Sequence, residues 1–358
     1  MARRAERGQA DRVVRAFILA SAAGGLLAAC AQPVCGRCRS QAATAQDMPS
    51  GTLFVANKRG NTLSQIDLAT GDEVRRVEAC ATPHELATSP DGQFVALACY
   101  GGREVAIFEA DDLTRVRDLV LGEGARPHGI EWHPNGDIYV TAEGRKSIYW
   151  IQDPLGSEPR KLEYATGQDG SHMLAVSPDA RNAWTMDLGS GTVTLVDLIT
   201  RRAPLSAAIG EEPEGIDLSP DGEALWVSAR GSNRAYELDP ATLDLRNTID
   251  VGRFALRLAI RPQGDVAVTS NLADASLSVI DLDTSEVVRT IAVDEPDAAQ
   301  ARFQVTILWS PDGERIYVAE TGTDTVAEVD YKSGRVLRRI ATGDGGDGLA
   351  IVKRRPAQ

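Results

Sequence analysis

Short apolar runs rich in β-branched and aromatic residues recur along this chain, each closed by a polar turn. Leu53-Phe54-Val55, Ile138-Tyr139-Val140 and Ile316-Tyr317-Val318 are such runs. They are too short for helices and predict β-strands bounded by Asp/Gly/Pro turns. The turns are themselves a pattern: Ser-Pro-Asp-Gly at 89–92, 219–222 and 310–313, His-Pro-Asn-Gly at 133–136 and Ser-Pro-Asp-Ala at 177–180. Aligned on proline, the repeat passes through Pro90, Pro134, Pro178, Pro220, Pro262 and Pro311, at intervals of 44, 44, 42, 42 and 49, after a degenerate first copy at Pro49-Ser50-Gly51. Within a copy, a strand follows the turn. A Gly-rich turn comes next, then a strand ending in an apolar residue and Asp, as in Ile66-Asp67, Val196-Asp197, Leu238-Asp239, Ile280-Asp281 and Val329-Asp330. The second and third copies carry Phe108-Glu109 and Gln152-Asp153 at that place. A last strand such as Val287–Ile291 closes the unit.

Four strands in a period of 40–50 residues is the pattern of a β-propeller blade. Seven copies fit between Gly51 and Val352. The first copy begins at what is the second strand elsewhere, and the chain ends with Gly348-Leu349-Ala350-Ile351, which matches the first strand elsewhere. The expected fold is therefore all-β: a seven-bladed β-propeller of four-stranded antiparallel blades over 49–354. Its C-terminal strand completes the N-terminal sheet and closes the ring, leaving no open array edge. A linear β-solenoid would not need complementary half-units at its two ends.

The Ser-Pro-Asp-Gly turns, Tyr139-Val140-Thr141, Ile280-Asp281-Leu282-Asp283-Thr284 and the steps Pro127-His128-Gly129 and Pro213-Glu214-Gly215 resemble the YVTN family of seven-bladed propellers, which includes the bacterial YncE-like periplasmic proteins. The resemblance covers about residues 49–352. It implies the fold and leaves function open, since such propellers serve as binding proteins, surface proteins and a few enzymes. The WD40 pattern does not fit, because the repeated Asp follows an aliphatic residue rather than Trp.

The formal charge is −13 over 358 residues. Residues 1–45 hold seven Arg and two acids, leaving 31 basic against 49 acidic groups in the remainder, a net −18. This argues against nucleic acid as a partner. The basic leader Arg3, Arg4, Arg7, Arg12 and Arg15 precedes an apolar run, Ala16–Ala29, too short to span a bilayer comfortably, so residues 1–29 read as an export signal. The run ends in Leu27-Ala28-Ala29-Cys30, which resembles the lipobox of bacterial lipoproteins. That implies lipidation of Cys30, a linker over 30–48, and contact with a membrane only through the lipid. An ordinary secretory signal cut after Ala43-Thr44-Ala45 is the other reading. Cys35-Gly-Arg-Cys38 has no following His and is not a haem attachment. Cys80 and Cys99 are expected to pair in an oxidising, extracytoplasmic compartment, periplasm or cell surface.

The candidate chemistry lies six residues before each repeat proline, at the start of the innermost strand of each blade. His84, His128, His172, Glu214, Leu256 and Val305 occupy this place, and alignment on Gly348 adds Asp347. Five successive blades thus present cation-binding groups at one channel mouth. Imidazoles with a carboxylate suit Zn, Cu or Fe, so His84, His128, His172 and Glu214 form a candidate ligand set, with Glu214 also a candidate base. Asp347, Glu143, Asp187 and Cys99 are expected to support them, with 84 opposite Cys99, 128 opposite Glu143 and 172 opposite Asp187. Duplication alone could copy a histidine with its blade, and a solvated channel lining is the plainer role. Cys80 near His84 leaves room for a copper thiolate site beside the disulfide reading. His133 is expected in a turn, and Arg257 and Arg302 in rim salt bridges. No nucleophile elbow, P-loop or dinucleotide fingerprint is present. The readings are an extracytoplasmic propeller that binds a small molecule, metal ion or protein on its channel face, or a metal-dependent oxidoreductase, lyase or lactonase-like hydrolase using the same residues.

Overall fold

The turn chemistry of the repeat explains its strands. In Ser-Pro-Asp-Gly, the serine hydroxyl donates to the aspartate (Ser89 Oγ to Asp91 Oδ1, 2.6 Å) and accepts from the first amide of the next strand (Phe94 N, 2.9 Å). The same pair recurs at Ser177/Asp179, Ser219/Asp221 and Ser310/Asp312. Gly92, Gly222 and Gly313 take positive φ there, and Ala180 takes the same conformation without glycine's freedom. His133 replaces the serine, and its Nδ1 accepts from Asn135 N (3.2 Å), so it is a turn residue as expected. The Asp after each third strand caps the next turn, as where Asp197 Oδ1 accepts from Ile199 N and Thr200 N.

The computed structural model describes residues 50–353; the expected export signal, Cys30, Cys35 and Cys38 lie outside them. Seven four-stranded antiparallel sheets are present. The inner strands of blades 2 to 7 are Pro83–Thr88, Pro127–Trp132, Ser171–Val176, Pro213–Leu218, Ala255–Ile260 and Gln304–Trp309. Blade 1 takes its inner strand, Gly346–Val352, from the C-terminus, paired antiparallel with Thr52–Asn57. The ring closes as expected. Among the described residues no helix is long and apolar enough to cross a membrane.

Each blade is apolar on both faces and cannot satisfy itself. Seven buried clusters lie one at each blade–blade seam. One joins Phe54 and Leu63 to Leu97 and Phe108; another joins Leu53 and Ile66 to Tyr317 and Val326, across the point where the two chain ends meet. Inner strands approach closely: a methyl group on Gly129 would stand 2.8 Å from His172 O in the next blade, so glycine is required there.

Seam burial at about 25 cal/mol per Å² is the main stabilising effect, and it requires the closed ring. A chain truncated before Gly346 is expected to lose its cooperative thermal transition, because Thr52–Asn57 becomes an open edge and two seams lose a partner. A melt unchanged in midpoint and steepness would contradict this.

Candidate functional site

One backbone device builds the channel mouth. In most blades two residues of the inner strand escape cross-strand pairing: Pro83 pairs with Cys99 and Leu86 with Leu97, so 84 and 85 bulge, and the same shift recurs at 127–130, 171–174, 255–258 and 304–307. The residue before each strand is left-handed in all seven copies: Thr82, Arg126, Gly170, Glu212, Phe254, Phe303 and Gly345. Its carbonyl accepts from the residue just past the second strand, as Thr82 O does from Tyr100 N. Three rings of side chains therefore share the mouth: the bulge residues, the left-handed residues, and Lys58, Tyr100, Glu143, Leu188, Arg230, Leu272 and Thr321.

The bulge brings the three histidines together. Ring centroids of His84 and His128 are 4.6 Å apart and those of His128 and His172 3.6 Å, with Tyr100 packed against both His84 (4.6 Å) and His128 (5.3 Å). His128, in the middle, is 1% exposed. The carboxylates stand beside the stack: His84 Nε2 is 3.8 Å from Asp347 Oδ2, His172 Nδ1 is 3.8 Å from Glu143 Oε1, and His172 Nε2 is 3.5 Å from Glu214 Oε1. Asp347 also pairs with Lys58 (3.2 Å). The rings pack against one another at tilts of 58° and 32°, and among the described residues no three His, Cys, Asp or Glu are disposed to hold one ion.

The equivalent positions are electrostatically different. Burial holds His84 below the usual imidazole range, against the opposing pull of Asp347. Burial, together with its two histidine neighbours, keeps His128 well below that range and neutral. Burial also works against charging His172, but Glu143 and Glu214 outweigh it and raise its pKa. Proton affinity along the three rings is thus highest at the His172 end.

Glu214 is a charge partner, not the base expected from its position. Burial opposes its ionisation, but His172, Arg257 and Arg230 bring it down to about 2. Its two oxygens are taken by Arg257 Nη1 (2.7 Å) and Arg230 Nη1 (2.8 Å), so it has little affinity left for a proton. The second nitrogen of Arg257 crosses the ring from blade 6 to reach Glu85 of blade 2 (Nη2 to Oε1, 2.8 Å), and the arginine is 5% exposed. The expected rim salt bridge is in fact a plug that floors the mouth. Arg302 forms the expected rim pair, with Asp294 (2.6 Å).

The supporting residues land differently because the bulge shifts the pairing. Ser171, not His172, faces Asp187, and Asp187 is spent on Ser171, Thr185, Thr192 and Thr194 within its own blade. Glu143 serves His172 of the next blade rather than His128. Cys99 is bonded to Cys80 (S–S 2.13 Å), so it bears the expected disulfide and offers no thiolate to an imidazole or to copper. Sequence reasoning missed Tyr100, Lys58, Arg230 and Glu85. Tyr100 and Arg230 follow the repeat proline by ten residues and Lys58 follows Pro49 by nine, and that near-constant offset was the available signal. A separate cavity of about 570 Å³ between blades 1 and 2, lined by Phe54, Gln65, Asp67 and Phe94, contains none of these groups.

Farther down the inner strands, Glu131 and Asp217 are raised to about 8 and about 6, chiefly by burial, with Asp217 adding to the shift of Glu131. A carboxyl whose folded pKa exceeds its unfolded value of 4.5 costs nothing below that value. Stability then falls as pH rises towards the folded pKa, because the unfolded chain releases the proton first. Glu131→Gln is expected to stabilise the protein by on the order of 2 kcal/mol at pH 8–9 and to change little at pH 4. Denaturant melts at both pH values measure this, and an equal effect at both would refute it.

A family model described as a YNCE-like beta-propeller matches residues 11–357. Antigen Lp49 of Leptospira interrogans serogroup Icterohaemorrhagiae serovar copenhageni (strain Fiocruz L1-130) is 21% identical over 248 residues, covering 63% of this chain and 44% of the antigen. The chain thus spans less than half the length of that curated relative. Among solved structures, the dihydro-heme d1 dehydrogenase NirN in complex with DHE superposes with a TM-score of 0.62 at 13% identity, over 88% of this chain and 82% of that one. Virginiamycin B lyase from Staphylococcus aureus gives 0.61 at 11%, over 73% and 84%, and a streptogramin B lyase 0.63 at 16%, over 76% and 89%. At these identities the likeness is one of fold. With its seven closed blades and a family match over nearly its whole length, the chain belongs to the YNCE-like β-propeller family.

Proposed function

We propose that this chain is an extracytoplasmic propeller that binds a small ligand at its channel mouth through His84, His128 and His172 with Glu143, Glu214 and Asp347. The observation that carries this reading is a set of buried polar atoms without a hydrogen bond in one place: His128 Nδ1, together with His172 Nδ1 and Glu143 Oε2, whose side chains meet each other only as a long ion pair at 3.8 Å. A buried polar group left unpaired costs about 1–3 kcal/mol, and a ligand that meets several of them at once recovers that cost. The fold does not choose the chemistry, since the neighbours named above include a dehydrogenase and lyases.

A metal ion, Zn, Cu or Fe, is the second reading. It is favoured by the imidazole–carboxylate separations of 3.5–3.8 Å, too long for hydrogen bonds but close to the roughly 3.4 Å between two donors on a tetrahedral ion about 2.1 Å from each. Taking up an ion would require the stack to open so that a third ligand turns inward. An enzyme built on that ion would need a base other than Glu214. Extracytoplasmic placement is supported by the basic-apolar leader and by the Cys80–Cys99 disulfide, which belongs to oxidising compartments.

Thermal shifts of untagged protein with Zn(II), Cu(II), Fe(II) and a panel of small organic molecules test the reading. A ligand at 100 times its Kd adds about 2.7 kcal/mol, or about 4 °C in a folded domain of this size. The expected result is at least one such shift that disappears in His128→Ala and in His172→Ala. If every shift survives both variants, the mouth is not the site. Cys30→Ala is expected to move the protein from the membrane to the soluble extracytoplasmic fraction; unchanged membrane association would overturn the lipid anchor.

A further inference from the structure

The mouth has two unlike halves. Blades 1 to 5 contribute the imidazoles, Tyr100 and the carboxylates beside them. Blades 6 and 7 contribute Leu256, Leu272 and Val305, a small buried cluster separate from the seven seams, with Phe254 packed against it. Phe303, 44% exposed, occupies the matching position in blade 7.

Two features mark this apolar half as more than lining. Phe254 and Phe303 sit at φ 59° and 50°, a conformation that disfavours bulky residues and that two other blades assign to glycine, Gly170 and Gly345. The backbone gains nothing from an aromatic side chain there, so the side chain itself is what the position retains. The one length departure of the repeat, the interval of 49, also falls here. Its extra residues form the turn Pro296–Ala298 and the short helix Ala299–Arg302, which packs on the turn Leu272–Asp274. Insertions in repeat proteins gather on the binding face.

The two halves are continuous and close. The Arg230 guanidinium lies 5.2 Å from the Phe254 ring centroid and pairs with Glu214, which faces His172. Arg257 shows that a single side chain reaches from blade 6 to blade 2. Two facing side chains, Arg257 and Glu85, thus suffice to bridge the walls at the floor of the mouth, and a flat ring system above them is the size class that touches both.

The polar wall asks for hydrogen-bond donors. His84 Nδ1 lies 3.2 Å from Thr82 O; a carbonyl only accepts, so the proton is on Nδ1 and Nε2 of the neutral ring carries a lone pair. Glu143 Oε2 accepts no hydrogen bond of its own, while the carboxylate as a whole interacts with Tyr100 and His172. The cations nearby are engaged: Lys58 by Asp347, Arg230 and Arg257 by Glu214, and Arg126 stacked on Tyr100.

We infer that the ligand of this mouth is a flat aromatic amine. Its ring system lies on Phe254, Phe303 and the Leu256–Leu272–Val305 cluster, and its N–H groups meet Glu143 and His84. This rests on the mouth reading above and adds the substrate class to it.

Fluorescence titration of the full chain with proflavine, a flat aromatic diamine, and with the anionic anilinonaphthalene sulfonate tests it. Proflavine is expected to bind saturably and at least tenfold more tightly than the sulfonate. Phe303→Ala, Phe254→Leu and Glu143→Gln are each expected to weaken it fivefold or more, with melting curves verifying that the variants fold. Phe303 is half exposed, so its variant does not depend on a repacked core. Absence of saturable proflavine binding, or equal affinity for the sulfonate, overturns the inference. If the phenylalanine variants bind normally while His128→Ala does not, the apolar wall is wrong and the mouth reading survives. If all variants bind normally, both fall.

Discussion

Closure of the ring is the constraint on which everything else depends. A four-stranded blade with two apolar faces has no stable existence alone, and a row of blades would leave two such faces and two strand edges in water. Lending the last strand to the first sheet solves both problems. It creates the seam between Leu53, Ile66, Tyr317 and Val326 and places Asp347 beside His84. The mouth is a consequence: seven inner strands held at one radius must send seven equivalent side chains to one axis, whatever those side chains are.

What the chain does with that convergence is decided by charge. An isolated arginine in the channel would carry a large desolvation penalty. Arg257 offsets it by bonding two carboxylates from different blades, Glu85 and Glu214. Removing either carboxylate would leave a buried charge uncompensated, so the three behave as one unit. That unit fixes Glu214 beneath His172 and ionised; within it Glu214 raises the pKa of His172 and Arg257 opposes the rise, while burial keeps His128 neutral. The plug, with members in blades 2, 5 and 6, is thus one contributor to the His172 environment beside Glu143 of blade 3.

The repeat made the fold legible. Period, turn chemistry and the complementary half-units at the two ends are local patterns, and each of them specifies blade, strand count and closure. The mouth was legible only in its first ring. Counting from the proline found the histidines, Glu214 and Asp347, but assumed an unbroken hairpin, and the bulge shifts every pairing at the point of interest. Asp187 and Glu143 moved for that reason. The reach of Arg257 across the ring has no sequence signal, because Glu85 is 172 residues away and four blades distant through the chain. Tyr100 and Arg230 were recoverable from their constant offset, since the same geometry that repeats the first ring repeats the third.

Duplication accounts for three histidines at one repeat position, and on recurrence alone it suffices. It does not account for their surroundings. An inherited, solvated lining would need only water around each imidazole. Instead His84 has Asp347 and Tyr100, His128 has only rings around it and an unpartnered nitrogen, and His172 lies between two carboxylates, one of them anchored by two arginines. Three copies of one residue have been given three protonation behaviours within two ring contacts. A solvated lining needs no such differentiation, and each step of it is costly: a desolvated imidazole, a buried arginine, and aromatic residues in a glycine conformation on the facing rim. These costs cluster at one end of one channel, which the proposed binding role accounts for and a solvated lining does not.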